Sequence, residues 1–364
     1  LPLTYDAPWD PSGWSYGRRH GGLDRHLQGT RAQEEHGVEP LATIRELRIA
    51  LGITSRKQLG WLLTGTDRNG GPYHTFTIPK RDGSDRQICA PKPHLREVQR
   101  RILDQILAKV PVHRAAHGFT RGRSAVTNAA AYTGAKVLLK FDLQEFFPTI
   151  HWSRVLGLFT SLGYHTRRCR LSCEDDSKEV APALTRLCTY TADPKDWYHC
   201  VAPQGAPTSP YISNLICRGL DARLDGLARQ AGGVYTRYAD DLTLSFRDPG
   251  VDVGRLRWWV DQICHQEGFF VHHGKLRVIR ATRRQLVTGI VVNDTLRIPR
   301  EQRRRFRAIL HNCRKHGLES QRRGKSNLAS YLRGFASYVH MVHPDEGAKL
   351  IAEVESLLSD TNGR

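Results

Sequence analysis

Apolar positions along this chain change their period several times, and each change marks an element. Leu41, Ile44, Leu47 and Leu51 recur every three to four residues, and Leu59, Leu62 and Leu63 resume the pattern after Gly52. That spacing predicts two short helices, with Thr54-Ser55 capping the second. Between Phe76 and Ile88, β-forming residues flank Asp82-Gly83, as in a β-hairpin. Leu95, Val98, Ile102, Ile106 and Leu107 predict an amphipathic helix over residues 93–110. Residues 137–141 are apolar apart from Lys140, as in a mostly buried strand that Asp142 ends. Helices are predicted around Val155, Leu158 and Phe159, around Ala183, Leu184 and Leu187, from Tyr211 through Leu227, and over residues 255–264. Val234, Tyr235 and Thr236 lead into a second hairpin, and residues 242–246 lead out with apolar and polar side chains alternating. Residues 268–271 read as a strand, residues 285–293 as a plain strand, and the chain from Arg297 onward as basic helices. Residues 1–40, rich in Gly, Pro, His, Arg and Trp, show no period.

Charge narrows the class of partner. Lys plus Arg number 55 against 36 Asp plus Glu, a net charge of +19. That excess favours a polyanion, nucleic acid first and a membrane surface second. The 364 residues suffice for two or three packed subdomains. No apolar run approaches the roughly 18 residues that span a bilayer, and no basic-then-apolar signal peptide opens the sequence. Its eight cysteines lack the regular spacing of a secreted disulfide framework and read as buried, reduced thiols in the cytoplasm. Cys169-x3-Cys173, with Cys188, His199 and Cys200 downstream, has an acceptable first pair for zinc but no regular second pair.

Chemistry concentrates at the tip of the second hairpin. Asp240 and Asp241 are adjacent there, and two like charges repel unless a cation joins them. An Asp-Asp turn alone is commonplace. Asp142, at the end of a buried strand facing that turn, would make a cluster of three carboxylates. Hard cations such as Mg²⁺ take oxygen ligands of this kind. Two such ions about 3.5–4 Å apart stabilise the attacking and leaving oxygens of nucleotidyl transfer.

The strings Phe141-Asp142-Leu143-Gln144-Glu145-Phe146-Phe147-Pro148, Pro203-Gln204-Gly205-Ala206-Pro207-Thr208-Ser209-Pro210 and Tyr238-Ala239-Asp240-Asp241 resemble, in this order and spacing, the successive palm motifs of bacterial reverse transcriptases. The resemblance runs from about Thr77 to about Ala352. It implies an α+β right-hand polymerase: an N-terminal arm and helices over residues 1–70, fingers over 71–135, a palm over 136–292 and a helical thumb over 293–364. The palm would be an antiparallel sheet backed by helices, with an insert at about 160–200. Asp142, Asp240 and Asp241 would hold two Mg²⁺, or Mn²⁺ as a substitute, with Leu143 offering its backbone carbonyl. Lys275 would stand near the leaving pyrophosphate, although a surface lysine is the plain reading. Lys80 and Arg86 match positions that hold the triphosphate, Phe147 matches a steric gate against the ribose 2′-OH, and Gln204 matches a contact to nucleotide and template. Arg121 and Arg123 fall in a loop that approaches the template. Arg303, Arg304 and Arg307 fall on the thumb, where a solvated charged face is the plain alternative.

Val287-Thr288-Gly289 resembles the retron subfamily in particular. Asn128-Ala129-Ala130-Ala131-Tyr132 matches the subfamily's Asn-Ala-x-x-His, except that Tyr132 stands where a histidine is usual. Retron membership would imply copying of a cognate structured noncoding RNA into DNA joined to that RNA, from deoxynucleoside triphosphates. It would also imply a separate effector protein, a place in antiphage defence and no membrane partner. A group II-intron-like, CRISPR-associated or abortive-infection transcriptase keeps the same fold. A non-catalytic RNA-binding scaffold has no need of clustered carboxylates, and a nucleotidyl cyclase has no need of a basic thumb. His272 and His273 would point apart on a strand and share no ion.

Overall fold

The computed structural model describes residues 33–65, 71–79, 83, 85–165, 174–192, 199–321 and 327–362. The chain forms two compact units, one of Leu1–His113 with Glu145–Gly219 and one of Arg114–Gln144 with Leu220–Arg364.

The first unit begins with the helices Ile44–Ala50 and Arg56–Thr64, whose N-termini are capped by Thr43 and Ser55 side chains. Their apolar stripes, Ile44, Leu47, Leu59, Leu62 and Leu63, are buried. They pack with the helix Val180–Cys188, all of whose residues are buried. Asp175 takes an ion pair from Arg48 and another from Arg56, each at 3.2 Å. The first hairpin pairs β1 (Tyr73–Pro79) with β2 (Asp85–Pro91) and starts before Phe76, because Tyr73 anchors it. The Tyr73 ring meets Tyr190 edge-on at 5.0 Å, and its hydroxyl accepts from Gln99 Nε2 at 2.8 Å. The helix expected over 93–110 ends at Gln105 and gives way to a 3-10 turn at Leu107–Lys109. Ile106 and Leu107 stay fully buried, so the apolar pattern outruns the helix. The helix expected from Tyr211 through Leu227 is two, Ser209–Ile216 and Arg218–Gln230, broken at Cys217.

The second unit is built on a four-stranded antiparallel sheet. Its strands are β3 (Val137–Asp142), β4 (Gly233–Tyr238), β5 (Asp241–Phe246) and β6 (Arg277–Arg280), in the order β4-β5-β3-β6. The alternation expected in β5 does not become an exposed face. Thr243 and Ser245 are as buried as Leu242 and Leu244, because β5 is internal and covered on both sides. The strand expected at 268–271 is absent: Val271 makes a single bridge to Leu143. Phe269 is instead fully buried, and its N–H bonds the Cys264 carbonyl at the end of the helix Val253–Gln266. The fourth strand is β6, whose basic sequence hides it. The segment 285–293 is a minimal hairpin, β7 (Leu286–Val287) and β8 (Ile290–Val291). Thr288 and Gly289 turn it with φ of 46° and 86°, as a type I′ turn requires.

Three helices end the chain: Arg300–His316, Leu328–Val342 and Pro344–Asn362. Phe306, Leu310, Cys313, Leu332, Ala336, Val354 and Leu358 make their shared core, with Phe306 stacked on Phe335 at 4.4 Å. The last two helices touch at Gly347, where an added Cβ would lie 2.0 Å from the His340 Cα. Among the described residues, no helix is long and apolar enough to cross a membrane. Gly347→Ala is expected to lower stability by about 1–3 kcal/mol through overpacking. A denaturant midpoint that falls with an unchanged slope would register it.

Candidate active site

Register brings the acidic residues together. β3 ends at Asp142 and β5 begins at Asp241, and the two are directly paired across the sheet. Tyr238 pairs with Asp241 from the other side, so Ala239 and Asp240 alone turn the hairpin. Ala239 takes a φ of 58°, a left-handed conformation uncommon for alanine. The turn is tied down by its backbone. Leu143 N–H donates to the Asp240 carbonyl at 3.0 Å, and His272 N–H donates to the Asp142 carbonyl at 2.7 Å.

The electrostatics carry the strain of that arrangement. Burial raises the Asp240 carboxyl pKa, and the charges of Asp241 and Asp142 raise it further. Burial likewise raises Asp241, with Lys140 and Lys275 opposing the rise and Asp142 adding to it. Lys275 Nζ donates to Asp142 Oδ2 at 2.8 Å, and this bond holds the ammonium above its ordinary pKa. Among the described residues, no three acidic, His or Cys side chains form a ready-made ligand set. The Asp142 carboxylate is turned onto Lys275, which supplies the positive charge in this conformation. The donors are all carboxylate oxygens whose proximity is electrostatically costly, and that chemistry suits a hard divalent cation.

Below the turn lies a buried polar network that the sequence pattern did not reveal. The Tyr132 hydroxyl donates to the Thr243 carbonyl at 2.8 Å and lies 2.5 Å from Thr236 Oγ1. Thr236 Oγ1 in turn bonds Asn128 Oδ1. Tyr132 therefore links β4 and β5 from the face opposite Arg237, and burial pushes its phenol well above the ordinary range. The segment 115–118 approaches from elsewhere: His117 N–H donates to the Arg237 carbonyl at 2.8 Å. A Cβ on Gly118 would stand 2.6 Å from Ala239 N, so only glycine permits the approach. Burial and the Arg123 charge push His117 down to about 4. Arg121 is exposed, and Arg123 Nη1 lies 3.5 Å from His117 Nε2.

The remaining predicted residues are placed as follows. Lys80 lies outside the described residues. Arg86 is exposed on β2 opposite Ile78. Phe147 is half-buried, its ring 5.4 Å from that of Phe146, which is in the core. Gln204 is half-buried, and its backbone carbonyl accepts from Cys89 N–H at 2.8 Å, which seats its loop against β2. Arg303 and Arg307 pair with Glu346 at 2.6 and 3.3 Å. Arg304 is exposed. Cys169 and Cys173 lie outside the described residues. Cys188 and Cys200 are buried, and Arg186 donates to Cys200 Sγ. His272 and His273 are not on a strand: His273 opens a 3-10 turn, and its Nε2 lies 3.5 Å from Asp261. Arg237 and Asp221 were not anticipated; a charged residue amid the buried pattern of β4 was the available signal.

The family described as reverse transcriptase (RNA-dependent DNA polymerase) matches residues 78–307. The chain is similar to the retron Mx162 reverse transcriptase of Myxococcus xanthus, at 38% identity over 95% of this chain and 73% of that one. It is 41% identical to the retron Mx65 reverse transcriptase of the same organism, over 86% of this chain and 72% of that one. It is 31% identical to the retron Ec86 reverse transcriptase of Escherichia coli, over 78% and 81% of the two chains.

Tyr132→Phe removes one hydroxyl and with it the buried bonds to the Thr243 carbonyl and Thr236 Oγ1. It is expected to cost about 1–3 kcal/mol of unfolding free energy, measured by denaturant titration.

Proposed function

The chain belongs to the reverse transcriptase family, and from that premise we propose that Asp142, Asp240 and Asp241 carry its RNA-directed DNA synthesis. It is a retron-type RNA-directed DNA polymerase. One observation supports these three residues above all. Asp142 and Asp241 face each other in register at the end of the sheet, with Asp240 in the adjoining turn.

The three carboxylates would hold two Mg²⁺, with Mn²⁺ as a substitute and the Leu143 carbonyl as a further ligand. When bound, such ions lower the pKa of the attacking hydroxyl and neutralise the triphosphate. Lys275 is half-exposed and already placed on Asp142. Released from that carboxylate, its ammonium would stabilise or protonate the leaving pyrophosphate. Lys80 and Arg86 would hold the triphosphate by charge-assisted bonds, Phe147 would exclude a 2′-OH, and Gln204 would contact nucleotide and template. Arg121, Arg123, Arg303, Arg304 and Arg307 would grip phosphates, Arg303 and Arg307 exchanging Glu346 for them. The fingers, palm and thumb would span residues 71–135, 136–292 and 293–364, after the N-terminal arm and helices of 1–70.

The template would be part of a cognate structured noncoding RNA, primed from one of its own 2′-hydroxyls, so that the DNA product stays joined to RNA. The net charge of +19 and the retron relatives support this reading. A separate effector protein, a role in antiphage defence and a cytoplasmic location complete it.

The test is to purify the protein from cells carrying its native locus, beside an Asp240→Asn, Asp241→Asn variant, and to digest the bound nucleic acid with RNase and DNase. The expected result is a discrete DNA joined to RNA, missing from the variant. RNA without DNA in both samples would contradict the catalytic reading, and mixed DNA from many RNAs would contradict the retron reading. Two further outcomes are expected in primer extension. Lys275→Met lowers kcat by about 10²–10⁴-fold, the range for a lost proton donor. Phe147→Ala raises ribonucleotide incorporation relative to deoxynucleotide incorporation.

A further inference from the structure

We infer that the buried Arg237–Asp221 pair is a positioning device for the Asp240-Asp241 turn, and the inference rests on the polymerase reading given above. Arg237 and Asp221 are both completely buried. The guanidinium makes two parallel bonds to the carboxylate, Nε to Oδ1 at 2.8 Å and Nη2 to Oδ2 at 2.7 Å. Asp221 Oδ1 also accepts from the Tyr235 hydroxyl at 2.9 Å. Nη1 of the same guanidinium donates to the Ala239 carbonyl at 3.2 Å.

That last bond reaches the residue whose left-handed φ sets the direction of Asp240. A non-glycine residue keeps such a conformation only where its surroundings impose it. A further restraint, beside the Leu143 N–H bond to the Asp240 carbonyl, is the segment 115–118. Arg237 N–H donates to the Ala115 carbonyl, and Gly118 lies against Ala239 N. The turn is therefore held between a guanidinium fork and a glycine backbone.

Stability alone does not require the pair. Buried ion pairs can often be replaced by apolar side chains of similar volume without loss of stability. No apolar side chain, however, can donate to the Ala239 carbonyl while held by a second element. Lysine can pair with Asp221, but its single ammonium has no rigid fork to span both partners.

The experiment is primer extension on an RNA template. It compares the unsubstituted chain, Asp240→Asn, Arg237→Lys, Arg237→Lys with Ala239→Gly, and Arg237→Met with Asp221→Leu. Melting temperature and template–primer Kd are measured for each. Synthesis by the unsubstituted chain and its loss in Asp240→Asn establish the reaction. Absence of synthesis by the unsubstituted chain overturns the polymerase reading and the inference with it. Given synthesis, the Met/Leu double variant is expected to stay folded and keep its template affinity while kcat falls. The fall is on the order of 10²-fold, as for a misplaced reacting group, with the deoxynucleotide KM unchanged. Arg237→Lys is expected to lose kcat in the same way. Ala239→Gly should return part of it, because glycine holds a positive φ without external restraint. Should the double variant not fold, the Arg237→Lys pair of measurements decides. The inference is overturned if kcat is intact in a variant lacking the fork, or if Ala239→Gly returns nothing to Arg237→Lys.

Discussion

Like charges set directly opposite each other across an antiparallel pair disfavour the pairing, and Asp142 and Asp241 stand in that register. Two carboxylates about 5 Å apart repel by about 3 kcal/mol at an effective dielectric near 20. A whole domain is stable by only about 5–15 kcal/mol. The sheet therefore closes against a local penalty, and the carboxyl pKa values of Asp240 and Asp241 are raised by burial first and by the neighbouring carboxylates after it. In this conformation Lys275 offsets the repulsion from Asp142. During catalysis a divalent cation would take over that role, and the lysine would be free for the leaving group.

Much of the second unit can be understood as support for this unfavourable cluster. β3 and β5 are the internal strands of the sheet, and Leu139, Leu242 and Leu244 on them are fully buried. Tyr132, Thr236 and Asn128 fasten the hairpin on one face, and Arg237 with Asp221 fastens it on the other. Buried polar groups fully supplied with partners specify one arrangement more sharply than an apolar core does. The Tyr132 hydroxyl reaches both strands of the hairpin.

The acidic residues were legible because their signal is local: a β-run, a two-residue turn and a second β-run around Asp240-Asp241. The two N-terminal helices were legible for the same reason, through period and caps. What escaped the sequence was set by tertiary burial. β5 reads as half-exposed because Thr243 and Ser245 are polar, yet in the internal strand both are buried. β6 is an edge strand whose Arg277 and Arg280 look like loop residues. Ile106 and Leu107 prolong an apolar period beyond the helix that carries it. Arg237 is a charge inside a strand pattern, and only the fold shows that Asp221, sixteen residues earlier, awaits it.

The most direct test of the central claim is single-turnover synthesis on a defined RNA template and primer with deoxynucleoside triphosphates and Mg²⁺. The unsubstituted chain is set beside Asp142→Asn and Asp241→Asn. DNA complementary to the template, made by the unsubstituted chain and absent from both variants and from metal-free reactions, is the predicted result. Equal synthesis by the variants, or none by a folded unsubstituted chain that binds the template, would contradict it.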